Sequence, residues 1–201
     1  MLTGASRPRS LRPSAAIVMG GSAGAVEALG VILPALPAEL GVPVVVVLHL
    51  SPRVPSLLAR IFAPRCALPV AEPMDKQPLG PGIWFAPPDY HLLIERERTF
   101  SLSIDPPFRW SRPSIDVLFE SASEAYGGSL DAVVLTGAND DGARGAAAVR
   151  QAGGFVLVQD PTTAEADEMP LAAIAAAAPQ FVGTPAEIAA VLAAATTRGQ
   201  R

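Results

Sequence analysis

Residues 16–29 read AIVMGGSAGAVEAL, and this stretch decides the fold. Its first five residues form an unbroken apolar run ending in glycine, the pattern of a short strand buried on both faces. From Ala25 to Leu36 the apolar side chains return at helical spacing. Between strand and helix lies Gly20-Gly21-Ser22-Ala23-Gly24, a literal G-x-S-x-G. A strand that bends sharply into a helix needs small residues at the bend. Such a turn lifts the serine hydroxyl above the end of the sheet, beside the unpaired N–H groups of the helix start.

The same string also suits a phosphate-binding turn, and two features argue against that use. Its glycines do not satisfy G-x-G-x-x-G, and the next strand ends at His49, where a dinucleotide-binding fold places an acid for the ribose. Ser22 therefore reads as a candidate nucleophile.

Outward from this turn, residues 42–48 form a β-branched strand and residues 55–62 a helical pattern, so strands alternate with helices as in a parallel sheet. Three short runs at 83–86, 90–94 and 99–104 are separated by Pro87-Pro88-Asp89 and by residues 95–98. They suggest an antiparallel hairpin or meander inserted into the sheet. Helical patterns then cover 113–126, 142–151 and 169–177, with strands at 130–135 and 154–158. The last helix, 184–195, carries a capping box of Thr184 and Glu187 with Pro185 at its first position. A single domain over residues 15–198 is expected behind a flexible leader of residues 1–14.

Composition limits the partners. The 201 residues are 50% hydrophobic but only 5% aromatic, which suits small-residue helices packed on both faces of a sheet. A net charge of -4 and a pI near 5.2, with no basic stripe, exclude nucleic acid or anionic lipid as the main partner. The single Cys66 rules out an internal disulfide or a thiolate metal cluster and reads as a small, half-buried residue. A cytoplasmic location is expected. The arginines of residues 7–12 ahead of an apolar run resemble a signal peptide, but Gly20, Gly21, Ser22 and Glu27 break that run. The uncharged stretch 169–186 is punctuated by Pro170, Pro179 and Pro185, so no membrane span is expected.

In a parallel sheet the carboxyl ends of all strands lie on one rim, which puts Ser22 and His49 together. The strand 130–135 runs onto the same rim as Thr136-Gly137-Ala138-Asn139-Asp140-Asp141-Gly142. An aspartate at a helix start is by default an N-cap, and here either Asp140 or Asp141 is also placed to orient His49. Serine, histidine and aspartate from three strand ends are the parts of an acyl-transfer triad. Their order along the chain, Ser, His, Asp, differs from that of the α/β-hydrolases. A metal would require His49, His91 and a carboxylate to converge, so His91 reads as packing. Trp84 and Trp110 also read as packing residues, and Arg53 and Arg112 as solvated surface.

Taken together, six segments resemble the catalytic domain of the chemotaxis protein-glutamate methylesterases, the CheB family. They are IVMGGSAGAVEAL, VVVVLHL, PGIWFAPPDYHLLI, RPSIDVLFESA, VVLTGANDDGA and GGFVLVQDPTTAEADEMPLAAI. The resemblance implies a three-layer α/β/α fold with a doubly wound, mainly parallel sheet and an antiparallel hairpin insertion. It places the nucleophile on Ser22, the base on His49 and the triad aspartate on Asp141. The oxyanion hole falls on the backbone N–H groups of Ala138 and Ala23, and neither cofactor nor metal is implied. The expected reaction is hydrolysis of glutamyl methyl esters, with glutamine deamidation in some relatives. The implied partner is the helical bundle of a methylated chemoreceptor or a similar protein. Ala23, Ala25, Ala138 and Asn139 depart from the family's usual Thr or Ser, Gly, Met and Gly. Only about 15 residues precede the first strand, so no receiver domain is expected, and any control would fall to a separate protein such as a response regulator, to expression, or be absent. The alternative is a degenerate domain serving as a signalling or protein-binding module.

Overall fold

The computed structural model describes residues 14–50, 55–108 and 110–196. The expected leader, except for Ser14, and Arg53 lie outside them. Seven strands form one parallel sheet: β1 (Ala16–Gly21), β2 (Pro43–Leu48), β3 (Val70–Ala71), β4 (Gly82–Phe85), β7 (Leu130–Val134), β8 (Phe155–Gln159) and β9 (Phe181–Gly183). Their spatial order is β3-β4-β2-β1-β7-β8-β9, so the winding reverses at β1. This is the switch point at which open α/β sheets place their sites. The remaining strands, β5 (His91–Ile94) and β6 (Phe100–Ser103), pair antiparallel as a separate two-stranded sheet.

Alternate side chains of the sheet feed two cores. Ile17, Met19, Val44, Val46, Val133 and Leu157 pack beneath α1 (Ala25–Ile32), α2 (Leu58–Phe62) and α6 (Pro185–Thr196). Val18, Val45, Val47, Ala132, Val134 and Val156 face α3 (Ile115–Tyr126), α4 (Ala143–Gln151), α5 (Glu168–Ala177) and the hairpin. All positions of β1, β2 and β7 are buried; β1 and β2 are unbroken apolar runs, while β7 carries the buried Asp131, whose Oδ2 accepts from Ser14 Oγ at 2.7 Å. The capping box of α6 forms as read: Glu187 accepts from the Thr184 N–H at 2.8 Å, and the Glu187 N–H donates to Thr184 Oγ1 at 3.3 Å.

Several expectations need correction. Residues 83–86 do not belong to the hairpin; Val44, Val45 and Val46 pair in parallel with Ile83, Trp84 and Phe85, so β4 is a strand of the main sheet. The hairpin packs beside α3 rather than extending the sheet. The helix expected from residue 113 begins at Ile115, with Ser114 as its cap. The helix expected over 55–62 is confined to Leu58–Phe62. Trp84 does pack, tilted against Phe100 with its Nε1 donating to the Gly80 carbonyl, but Trp110 is 99% exposed. Arg112 is no solvated surface residue. Its guanidinium donates to Asp89 Oδ1 and to the carbonyls of Ile104 and Asp105.

Gly20 allows the close approach that carries the rest of the site. A Cβ there would lie 2.2 Å from Ile115 Cγ2, so α3 can meet the end of β1 only over a glycine. Replacing Gly20 by Ala is expected to cost about 1–3 kcal/mol through overpacking. Urea unfolding of Gly20→Ala checks this, and a variant as stable as the parent would contradict the tight packing described.

Candidate active site

Ser22, His49 and Asp141 stand on the carboxyl rim after β1, β2 and β7, three adjacent strands. Gly21 pairs with Leu48, so the next residues on the two strands, Ser22 and His49, are neighbours across the sheet. The Ser22 N–H donates to the Thr136 carbonyl at 2.9 Å and holds the turn against the end of β7. Thr136, unnoticed in the sequence, braces the same turn from its side chain, since its Oγ1 lies 2.9 Å from the Ala23 carbonyl. Gly137 completes the floor. A Cβ there would meet Ser22 Cβ at 3.0 Å and Met169 at 2.6 Å.

His49 Nε2 donates to Asp141 Oδ2 at 2.7 Å, with Asp141 only 1% exposed and His49 14%. Asp141 accepts three further bonds. Ile115 N–H donates to the same oxygen at 2.8 Å, while Ser114 Oγ and Asp116 N–H donate to Oδ1 at 2.9 and 3.0 Å. The carboxylate thus occupies the start of α3, where the first N–H groups lack intrahelical partners and the helix dipole favours negative charge. Burial pushes the Asp141 carboxyl up, but the bonds from His49, Asp116 and Ile115 outweigh it and hold the group below the ordinary aspartate range. The stability this supplies is present above the unfolded-state value and is lost as pH falls through the lower folded one.

The geometry separates the two neighbouring acids. Asp141 makes all of these contacts, whereas Asp140 is an exposed residue at the tip of the loop. The chain returns into α4 through Gly142, whose φ of 96° lies in the left-handed region and whose missing Cβ leaves room for Ile115. Asn139, which stands where the family usually has glycine, does not adopt a positive φ.

A reciprocal cap locks the two helices together. Asp116, in the first turn of α3, accepts from Gly142 N–H at 3.0 Å and from Gly145 N–H at 2.7 Å, at the start of α4. Its second oxygen, Oδ2, is buried without a partner. Burial raises the Asp116 pKa, the Gly145 N–H opposes that rise, and the Asp141 charge adds to it. His91 supports the arrangement from behind. It is 3% exposed, takes the Ser114 N–H on Nδ1 at 3.2 Å and reaches the Pro106 carbonyl with Nε2. Packing was the correct reading of His91. Ser114 and Asp116 were missed, although a serine immediately before an apolar periodic run is an N-cap signal.

The backbone N–H groups of Ala23, next to Ser22, and of Ala138, next to Gly137, make no hydrogen bond among the described residues, and both residues are exposed. Unpaired backbone donors are the kind of group that a developing oxyanion requires. The half-buried Ser22 makes no side-chain hydrogen bond to His49, a looseness common in unliganded sites. Cys66 is half-buried, as read, and burial raises its thiol pKa. Among the described residues no helix is long and apolar enough to cross a membrane.

Asp116→Asn keeps the acceptor for Gly142 and Gly145 and removes a buried charge. A raised folded-state value gives stability that is lost as pH rises, so the variant should gain on the parent as pH increases from 4 to 8. Denaturant unfolding across that range would disprove the account if the difference between the two proteins stayed flat.

Comparison with known proteins identifies the family and the fold. The family model described as CheB methylesterase matches residues 17–192. A protein of Leptospira interrogans is 47% identical over 168 residues, covering 83% of this chain and 87% of that protein. A protein-glutamate methylesterase/protein-glutamine glutaminase of Trichodesmium erythraeum is 37% identical over 159 residues, and the match spans 77% of this chain but 45% of that protein. The crystal structure of the Thermotoga maritima CheB methylesterase catalytic domain superposes with a TM-score of 0.86 at 30% identity, covering 91% of this chain and 99% of that one. The chain belongs to the CheB methylesterase family, and what it shares with that family is the catalytic domain.

Proposed function

We propose that this chain is a serine hydrolase that removes methyl groups from glutamyl methyl esters on a protein substrate, the helical bundle of a chemoreceptor or a similar methylated protein. The observation that carries the reading is the 2.7 Å His49–Asp141 pair placed beside the Ser22 turn. With Nε2 committed to Asp141, the remaining ring nitrogen, Nδ1, is the base.

Ser22 Oγ attacks the ester carbonyl while His49 Nδ1 takes its proton. Asp141 holds the ring and stabilises the imidazolium, and the N–H groups of Ala23 and Ala138 receive the oxyanion. The tetrahedral intermediate collapses and methoxide leaves as methanol with the His49 proton. Water then attacks the acyl-Ser22 ester, again losing a proton to Nδ1, and releases the glutamate carboxylate with Ser22 regenerated. Glutamine deamidation follows the same steps with ammonia leaving. The four donors around Asp141 suit this cycle, since a carboxylate so held stays ionised when the imidazolium forms. Ala23 and Ala138 contribute main-chain groups, so their departure from the family's usual side chains leaves the oxyanion donors in place.

Ser22→Ala is expected to lower kcat on the order of 10⁶-fold. Methanol release from methylated receptor membranes gives the rate. Intact mass after incubation with a fluorophosphonate gives the nucleophile, as one adduct on Ser22 that the variant lacks. A folded parent protein that forms no adduct would overturn the hydrolase reading in favour of a binding module.

A further inference from the structure

We propose that Asn139 is a latch on the general base: its side-chain amide occupies Nδ1 of His49 in the resting enzyme and must release it before Ser22 passes on its proton. The inference rests on the reading of His49 as base and concerns what precedes catalysis.

The orientation of the amide is fixed by its own contacts. Asn139 Oδ1 accepts from the Asp141 N–H at 3.1 Å, and a flipped amide would set N–H against N–H. Nδ2 therefore faces His49, 3.4 Å from Nδ1. Two neighbours now dictate one tautomer. The Asp141 carboxylate requires the ring proton on Nε2, and the amide donor requires a lone pair on Nδ1. That is the form able to accept a proton from Ser22, yet the accepting lone pair is already engaged. The Nδ1 lone pair engaged by the amide is the one a Ser22 hydroxyl would need as its acceptor.

Once Nδ1 is protonated it has no lone pair left to offer, so the amide contact exists only with the neutral ring and is absent from the transition state. A hydrogen bond present in the ground state alone slows the step it precedes. At 3.4 Å the contact is long, so its removal is worth a small factor, about two- to fivefold. The simpler role for Asn139, closing a turn onto the Asp141 N–H, predicts no effect on the ring. A serine at this position retains an oxygen for that turn but does not reach His49.

The test combines ¹⁵N NMR of the two histidines with the rate of Ser22 labelling by a fluorophosphonate. A His49→Gln spectrum identifies the His49 signals, since the chain contains only His49 and His91. In Asn139→Ser the Nδ1 resonance should move toward that of a free lone pair while Nε2 is unchanged, and labelling should quicken about two- to fivefold. Asn139→Ala, which also loses the turn acceptor, must show the same change at Nδ1. An unmoved Nδ1 resonance, or labelling no faster than in the parent, overturns the latch. Parent protein unlabelled at Ser22 would instead defeat the hydrolase reading itself, so the two failures are distinct.

Discussion

Two buried carboxylates, each seated on the first turn of the other's helix, hold this molecule's site together. Asp141 precedes α4 and accepts from Ser114, Ile115 and Asp116 at the start of α3, while Asp116 in α3 accepts from Gly142 and Gly145 at the start of α4. A helix start buried in a core leaves unpaired N–H groups, and an isolated buried carboxylate is costly. Placing each with the other resolves both problems. The exchange requires the helices to approach closely, which Gly145 permits, since a Cβ there would lie 2.6 Å from Phe119 Cβ. It also fixes the orientation of Asp141. With both its oxygens already receiving N–H or O–H donors, the carboxylate meets His49 along a single direction.

What the sequence revealed was what local physics controls. The Ser22 turn, the β-branched strand before His49 and the capping box at Thr184 each depend on residues within a few positions of one another. Short edge strands escaped notice because β3 and β9 have two and three residues, too few for a period to show. The order of the strands was hidden too. Nothing in residues 130–134 says that they lie beside β1 rather than beside the hairpin that precedes them.

The residues that support the candidate triad were illegible for the same reason. Ser114, Asp116, Thr136 and His91 act across the fold, and each has an ordinary local reading as a cap, a first-turn acid, a loop hydroxyl or a strand residue. The choice between Asp140 and Asp141 could not be made from position alone, and the family resemblance made it. Arg112 and Trp110 mark the limit of compositional reasoning. The arginine closes a loop by bonding two carbonyls and a carboxylate, and the tryptophan stands in solvent on a backbone with φ 69°.

The bond from His49 to Asp141 spans 92 residues of chain and crosses β1, which lies between the strands that supply them. Contacts so distant in sequence form late, because a long loop must close before they return any energy. On the proposed mechanism, until β7 docks against β1 Ser22 is an ordinary alcohol without the partners that would activate it. The reactivity proposed for Ser22 is therefore a property of the completed fold, and an emerging or partly unfolded chain would carry no active nucleophile with which to cut esters indiscriminately.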